Sequence, residues 1–142
     1  MAEKSSYYYK QSAVIPFRSD GDELQILMIT SRKKKRWIIP KGIIEPHLSA
    51  ADSAAKEALE EGGIKGNTLP QAIGNYTYEK WGGTCRAEVF VMEVTQLLEQ
   101  WDEDFRDREW LAIPQAIERI AEKKLKEICA TLPGFLQKQG IL

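Results

Sequence analysis

The chain has 142 residues, 43% of them hydrophobic and 29% charged, with a formal net charge of −1. That is the composition of one ordinary globular domain, long enough to bury a core and without the overall charge that draws a protein to nucleic acid. One histidine and two cysteines exclude a multi-histidine metal centre and a disulfide framework, and no apolar run approaches the roughly 18 to 20 residues that span a bilayer.

The first ten residues, MAEKSSYYYK, lack the apolar stretch of an export signal. With Cys85 and Cys129 read as reduced structural thiols, a cytoplasmic protein is expected. Residues 12–17 (SAVIPF) and 24–30 (LQILMIT) are apolar and rich in β-branched side chains, and Asp20-Gly21 between them predicts a β-hairpin. The basic run SRKKKR follows at 31–36, then a short extended piece, RWIIP, at 36–40, stopped by Pro40 and Gly42. From Ser49 the pattern is helical. Ser49 can cap the helix, Asp52 at its third position suits the dipole, and Gly62-Gly63 ends it. Residues 72–80 and 85–94 read as strands joined at Gly82-Gly83. The second places Ala87, Val89 and Val91 on one face and Glu88, Phe90 and Met92 on the other. A last strand over 109–113 leads into a helix begun by Pro114, with Ile117, Ile120, Leu125 and Ile128 at helical spacing and a break expected near 121–124. This order predicts a mixed α/β domain with a sheet between helices.

Chemistry is suggested by AAKEALEEGG, 54–63. Glu57, Glu60 and Glu61 are related by i+3 and i+4 and share one helix face, while Ala51, Ala55, Ala58 and Leu59 are expected to pack on the sheet. Those small side chains would bring the helix backbone close to the strands. Three grouped carboxylates repel one another unless a counter-charge joins them. Lys56, four residues before Glu60, supplies part of it, and a divalent cation would supply more. With a single histidine, any metal must be held by carboxylate, backbone or water oxygen, which suits magnesium or manganese. Alone, such a cluster is more often a solvated acidic stripe.

The longer segment WIIPKGIIEPHLSAADSAAKEALEEGGI resembles the signature of the Nudix hydrolases, G-x5-E-x7-R-E-U-x-E-E-x-G-U, where U is apolar. Gly42, Glu57, Ala58, Glu60, Glu61, Gly63 and Ile64 fall on seven of its nine defined positions, with the spacing intact. Leu48 stands where the first glutamate belongs, and Lys56 replaces the arginine. The flanking sequence, VTQLLEQW and the REW strand above all, is similar to the diphosphoinositol polyphosphate phosphohydrolase branch of that family.

The resemblance implies a single Nudix domain over residues 1–142, an α/β/α sandwich with its box at 42–64. It implies hydrolysis of a phosphoanhydride bond in a diphosphoinositol polyphosphate or a dinucleoside polyphosphate, with Mg2+ or Mn2+ as cofactor. Glu57, Glu60, Glu61 and the carbonyl of Gly42 would hold the metal, with Glu60 and Glu61 catalytic. The general base stays open between the box glutamates and three outside them, Glu79, Glu88 and Glu109. Arg18, Ser31, Arg32, Arg36 and Lys41 are the expected phosphate-binding residues, with Arg86 a further candidate, since guanidinium forks and ammonium groups suit phosphate. The expected partner is a phosphorylated small molecule, with neither membrane nor specific nucleic-acid binding. Lys33 to Lys35 read as a solvated turn, His47 as a loop residue, and Trp37 and Trp110 as packing residues and not base-stacking platforms. Two alternatives stand beside this: a nucleoside triphosphate pyrophosphohydrolase, and a Nudix-fold binding module without catalysis, for which Leu48 and Lys56 speak.

Overall fold

The computed structural model describes residues 4–142; residues 1–3, part of the stretch read for an export signal, lie outside the described residues. The chain runs β1 (Lys10–Asp20), β2 (Glu23–Thr30), β3 (Trp37–Ile38), β4 (Lys41–Ile43), α1 (Ala50–Gly62), β5 (Ile64–Thr68), β6 (Gly74–Lys80), β7 (Gly83–Leu97), β8 (Arg108–Ala112), α2 (Ile113–Arg119), α3 (Lys123–Ala130) and α4 (Leu132–Lys138). One mixed sheet holds the strands. Its centre is β1, parallel to β7 over Lys10–Phe17 and antiparallel to β2 and β4 at its two ends. The β1–β2 turn carries Gly21 at φ 65°, as Asp20-Gly21 predicts.

Strand alternation divides the core. Ala13, Ile15 and Phe17 of β1 join Ala87, Val89 and Val91 of β7 beneath α2, α3 and α4. Val14, Phe90 and Met92 face the other way, against Ala54 and Ala58 of α1. The result is the expected α/β/α sandwich. Three helices cover one face and a single helix the other.

Several local expectations change. Strands β4 and β5 are absent from the sequence reading, because three residues in one case and the polar IKGNT in the other carry too little apolar pattern. Helix α4 is also new. Pro133 and Gly134 disguise it, and burial of Leu132 and Leu136, one turn apart, holds it. The break between α2 and α3 falls at residues 120–122, within a residue or so of the expected place. The β6–β7 turn uses Trp81 (φ 56°) and Gly82 (φ 72°), so Gly83 is the first strand residue. A left-handed tryptophan is rare. Its carbonyl accepts a hydrogen bond from the Tyr9 hydroxyl at 2.9 Å, and its ring meets those of Tyr8 and Tyr9 edge-on.

Helix α1 is seated as the site requires. Ser49 Oγ accepts from the Asp52 amide at 3.0 Å, and Gly63 closes the helix at φ 63°. The buried stripe is Ala54, Ala58 and Gly62, with Ser53 beside it; Ala51 and Ala55 are only half-buried and Leu59 is exposed. The predicted packing face is thus rotated by roughly 45° about the helix axis. With Ala54 at zero, Glu61 lies roughly 20° round the helix, Glu57 roughly 60° and Glu60 roughly 120°. The three carboxylates therefore sit at graded depths, with Glu61 deepest.

The connection between β7 and β8 locks the far end of α1. The last carbonyls of a helix have no partner within it. Here Glu60 O accepts from the Glu103 amide (3.0 Å), Glu61 O from Trp101 Nε1 (3.0 Å), Gly62 O from Arg108 Nη1 (2.8 Å) and Gly63 O from the Leu98 amide (2.8 Å). Arg106 anchors this connection. It is buried, donates through Nη1 to Thr30 O at 2.9 Å, and grips Glu103 Oε1 through Nε and Nη2 at 3.1 and 2.7 Å. Arg106→Met keeps the bulk and removes these bonds. It is expected to lower stability by about 2 kcal/mol in urea unfolding with the m-value unchanged, and to raise amide exchange across residues 98–107.

Candidate active site

Where β4 meets α1, a cavity of about 660 Å³ is lined by Lys41, Gly42, Glu45, Lys56, Glu57, Glu60, Glu61 and Glu103, with Tyr7, Tyr8, Lys80 and Trp81 on its wall. Glu57 lies directly on the strand at Gly42. A Cβ at residue 42 would collide with the carboxylate carbon and both oxygens of Glu57, so only glycine leaves room for it. Glu61 Oε1 accepts a hydrogen bond from the Lys41 amide at 3.2 Å.

Neither of these carboxylates has a cationic side chain at ion-pair distance among the described residues. Burial raises Glu61 to about 8, helped by the charge of Glu57 and opposed by the Lys41 amide and the field of Arg106. Burial raises Glu57 to about 7, with the charge of Glu60 adding to it. Glu60 is placed differently. Its Oε1 is 3.2 Å from Lys56 Nζ, which lies 2.6 Å from Glu45 Oε1. Hydrogen bonds to these two carboxylates hold the Lys56 ammonium above its ordinary value, and its bond to Glu45 holds that carboxyl below. Glu45 is tied to α1 a second time, its amide donating to Ser53 Oγ at 3.2 Å. Thus Lys56, in the arginine position, has a loop carboxylate as partner although residue 48 is leucine.

The expected metal ligands are therefore brought to one cavity but not into one shell. Among the described residues no three Asp, Glu, His or Cys side chains gather at coordinating distance. Glu57 lies on the bare backbone of Gly42 and Glu61 on the amide of Lys41, while Glu60 pairs with Lys56. This donor set, all oxygen and with two carboxyls that a bound cation would let ionise, fits a hard divalent cation.

A second cavity of about 440 Å³ lies on the other side of Lys41 and Glu61, which line both. Trp37, Tyr76, Tyr78 and Arg36 form part of its wall. Lys41 Nζ sits 3.9 Å from the Tyr78 ring centroid, and burial lowers its ammonium to about 8.

Of the expected phosphate-binding residues, Lys41 and Arg36 reach a cavity. Ser31 does not; its Oγ accepts from the amides of Lys35 and Arg36 and organises the basic turn. Arg32 is exposed, 3.6 Å from Glu103 Oε1, and lines neither cavity. Arg18 lies 4.3 Å from the Trp110 ring centroid and donates to Gln25 Oε1 at 2.8 Å, away from both cavities because it sits near the hairpin end. Arg86, Glu79, Glu88 and Glu109 also line neither; Glu79 accepts from Thr84 Oγ1 and Glu109 lies 3.5 Å from Arg119. His47 is a loop residue 3.5 Å from Glu45. Trp110 packs beside α1 as expected, and Trp37 both packs on the core and lines the second cavity. The sequence reading missed Glu103, Glu45, Lys80 and the aromatic residues of the two walls. Only their neighbours carried a signal, Trp101 for Glu103 and the box for Glu45.

The chain is similar to known proteins in sequence and in fold. The sequence model of the NUDIX domain matches residues 9–131. Diphosphoinositol polyphosphate phosphohydrolase 3-beta of Bos taurus is 34% identical over 113 residues, 78% of this chain and 68% of that protein. Diphosphoinositol polyphosphate phosphohydrolase 2 of Rattus norvegicus is 34% identical over 78% of this chain and 62% of its own length. The match thus spans about two thirds of these relatives. In fold, the chain is similar to a C. elegans Ap4A hydrolase, with a TM-score of 0.74 and 17% identity over 89% of this chain and 97% of that one.

The raised carboxylates set a pH test. Both titrate above the roughly 4.3 of an unfolded-chain glutamate, so their protonation favours the fold, and that contribution is lost as pH rises through about 7 and about 8. With chelator present, Tm is expected to fall from just above pH 4 to about pH 8 and to level off beyond it, and magnesium is expected to restore it mainly at the upper end. Thermal unfolding followed by circular dichroism checks both, and the Glu57→Gln/Glu61→Gln double variant should show neither.

Proposed function

Because the chain belongs to the Nudix family, we propose that it hydrolyses a phosphoanhydride bond in a highly phosphorylated small molecule, a diphosphoinositol polyphosphate or a dinucleoside polyphosphate. The observation that carries this reading is the pair Glu57 and Glu61, two half-buried carboxylates without a cationic side chain, one against Gly42 and the other on the Lys41 amide. Nudix hydrolases generally use a divalent metal. Glu57, Glu61 and the Gly42 carbonyl would hold Mg2+ or Mn2+ here, with Glu60 completing the set on leaving Lys56. Such a cation, when bound, screens phosphate charge and makes water a better nucleophile.

The chain's own groups supply the rest. Lys41 and Lys80 line the first cavity and place positive charge against phosphate oxygens, and Arg36 does so from the second. Glu60 is held by Lys56 and Glu103 by Arg106. Glu57 and Glu61 both lack a cationic side-chain partner; Glu61, which lines both cavities, is the proposed acceptor of a proton from attacking water. Glu103 replaces Glu79, Glu88 and Glu109 as the glutamate from outside the box that reaches the cavity. The buried, unpaired thiols Cys85 and Cys129 support a reducing compartment, the cytoplasm. Among the described residues no helix is long and apolar enough to cross a membrane.

A product screen tests the reading. Inositol pyrophosphates, dinucleoside polyphosphates and nucleoside triphosphates are each incubated with magnesium and with chelator. Metal-dependent cleavage of one of the first two is expected, and Glu61→Gln should lower kcat by on the order of a hundredfold or more. No metal-dependent product from any of them would favour the binding-module reading.

A further inference from the structure

The second cavity is chemically unlike the first. Its wall is largely aromatic and aliphatic, with Trp37, Ile38, Tyr76, Tyr78 and Leu125, and it meets the carboxylate cavity at Lys41 and Glu61. The Tyr76 and Tyr78 rings lie side by side, centroids 6.0 Å apart and planes inclined by 34°. A volume of about 440 Å³ is in the range of small-molecule pockets. We propose that this cavity is a nucleobase subsite, so that the substrate is a dinucleoside polyphosphate and not an inositol pyrophosphate. The proposal rests on the hydrolase reading above and narrows its substrate class.

Charge decides between the two. An inositol ring crowded with phosphates needs several cations around it. Arg106, a guanidinium in this wall, already bonds to Glu103 and to the Thr30 carbonyl. Arg36 and Lys41 remain, opposed by Glu61 and Glu122 in the same wall. The basic run offers no remedy. Lys33 to Lys35 are exposed and line neither cavity, and Lys34 lies 3.6 Å from Asp107. Trp37, half-buried in this wall, suits a planar base instead, since stacking is favourable for every base; Lys41 already covers one face of Tyr78, and Glu122 offers an acceptor to base N–H groups. The far side of the carboxylate cavity carries a second aromatic set. Tyr8 and Trp81 pack edge-on with centroids 5.5 Å apart, beside Tyr7, which is 40% exposed. The phosphate site thus lies between two aromatic surfaces, one for each end of a two-base substrate.

Kinetics and binding together test this. With magnesium, kcat/KM is measured for diadenosine tetraphosphate and for a diphosphoinositol pentakisphosphate, on the wild type, Trp37→Ala and Ala121→Phe. The last variant fills the cavity from an exposed position, so it serves if Trp37→Ala fails to fold. The wild type should prefer the dinucleotide, and each folded variant should raise its KM by on the order of tenfold more than that of the inositol substrate. Preference for the inositol compound, or equal losses on both, would overturn the subsite. Equilibrium dialysis of adenosine monophosphate in chelator separates the two readings. If neither substrate is cleaved, the hydrolase reading fails. Nucleotide binding weakened by Ala121→Phe would still support the subsite, and no binding to the wild type would overturn it.

Discussion

The site depends on how closely α1 lies against the sheet. Ala54 and Ala58 are fully buried there and Gly62 continues the line, so no large side chain holds the helix away from the strands. At that distance Glu57 reaches the strand backbone, and it can do so only because residue 42 has no side chain. Burial then makes the two deeper carboxylates costly in their charged forms. A soluble domain seldom leaves two such groups side by side without a counter-ion. Packing alone would be better served by apolar residues at 57 and 61. Their presence is best understood as a site that a cation completes.

Close approach needs a rigid mounting, and the β7–β8 connection provides it. Its hydrogen bonds to the carbonyls of residues 60–63 end α1 in a fixed position, and Arg106 fixes the connection to β2. Trp101 packs on the left-handed Gly63 and bonds Glu61 O from the same side chain. The segment VTQLLEQWDEDFRDREW is thus a clasp on α1 and, through Glu103, part of the cavity wall. The loop before α1 acts at the other end, where Glu45 takes both Ser53 Oγ and Lys56. The two departures from the box signature, Leu48 and Lys56, become intelligible together: the lysine is paired, but with Glu45, three residues before position 48.

Much of this was legible in the sequence because it is local. The Asp20-Gly21 turn, the Ser49 cap, the Gly63 stop and the alternation of β7 each depend on near neighbours, and the box spacing places Gly42 and the glutamates in one region. What was not legible depends on contacts across the chain. The stripe Ala54, Ala58, Gly62 lies roughly 30° round the helix from Ala51, Ala55, Ala58, and composition cannot tell them apart when every candidate is small. Arg18 and Arg36 look equivalent as phosphate ligands. One stacks on Trp110 near a hairpin end and the other faces a cavity, a difference set by the pairing of β1, β2 and β3. Glu103 enters the site only because its connection folds back on α1. Trp81 reads as an ordinary aromatic until the turn that bends it to φ 56° is seen.

The central claim is that Glu57, Glu61 and the backbone at Gly42 form a divalent-cation site, and anomalous scattering from crystals soaked in Mn2+ tests it most directly. The account expects a manganese peak bonded to a carboxylate oxygen of each of Glu57 and Glu61 and to the Gly42 carbonyl, lost in the Glu57→Gln/Glu61→Gln double variant. A fully occupied peak elsewhere, or none in crystals with an open cavity, would contradict it.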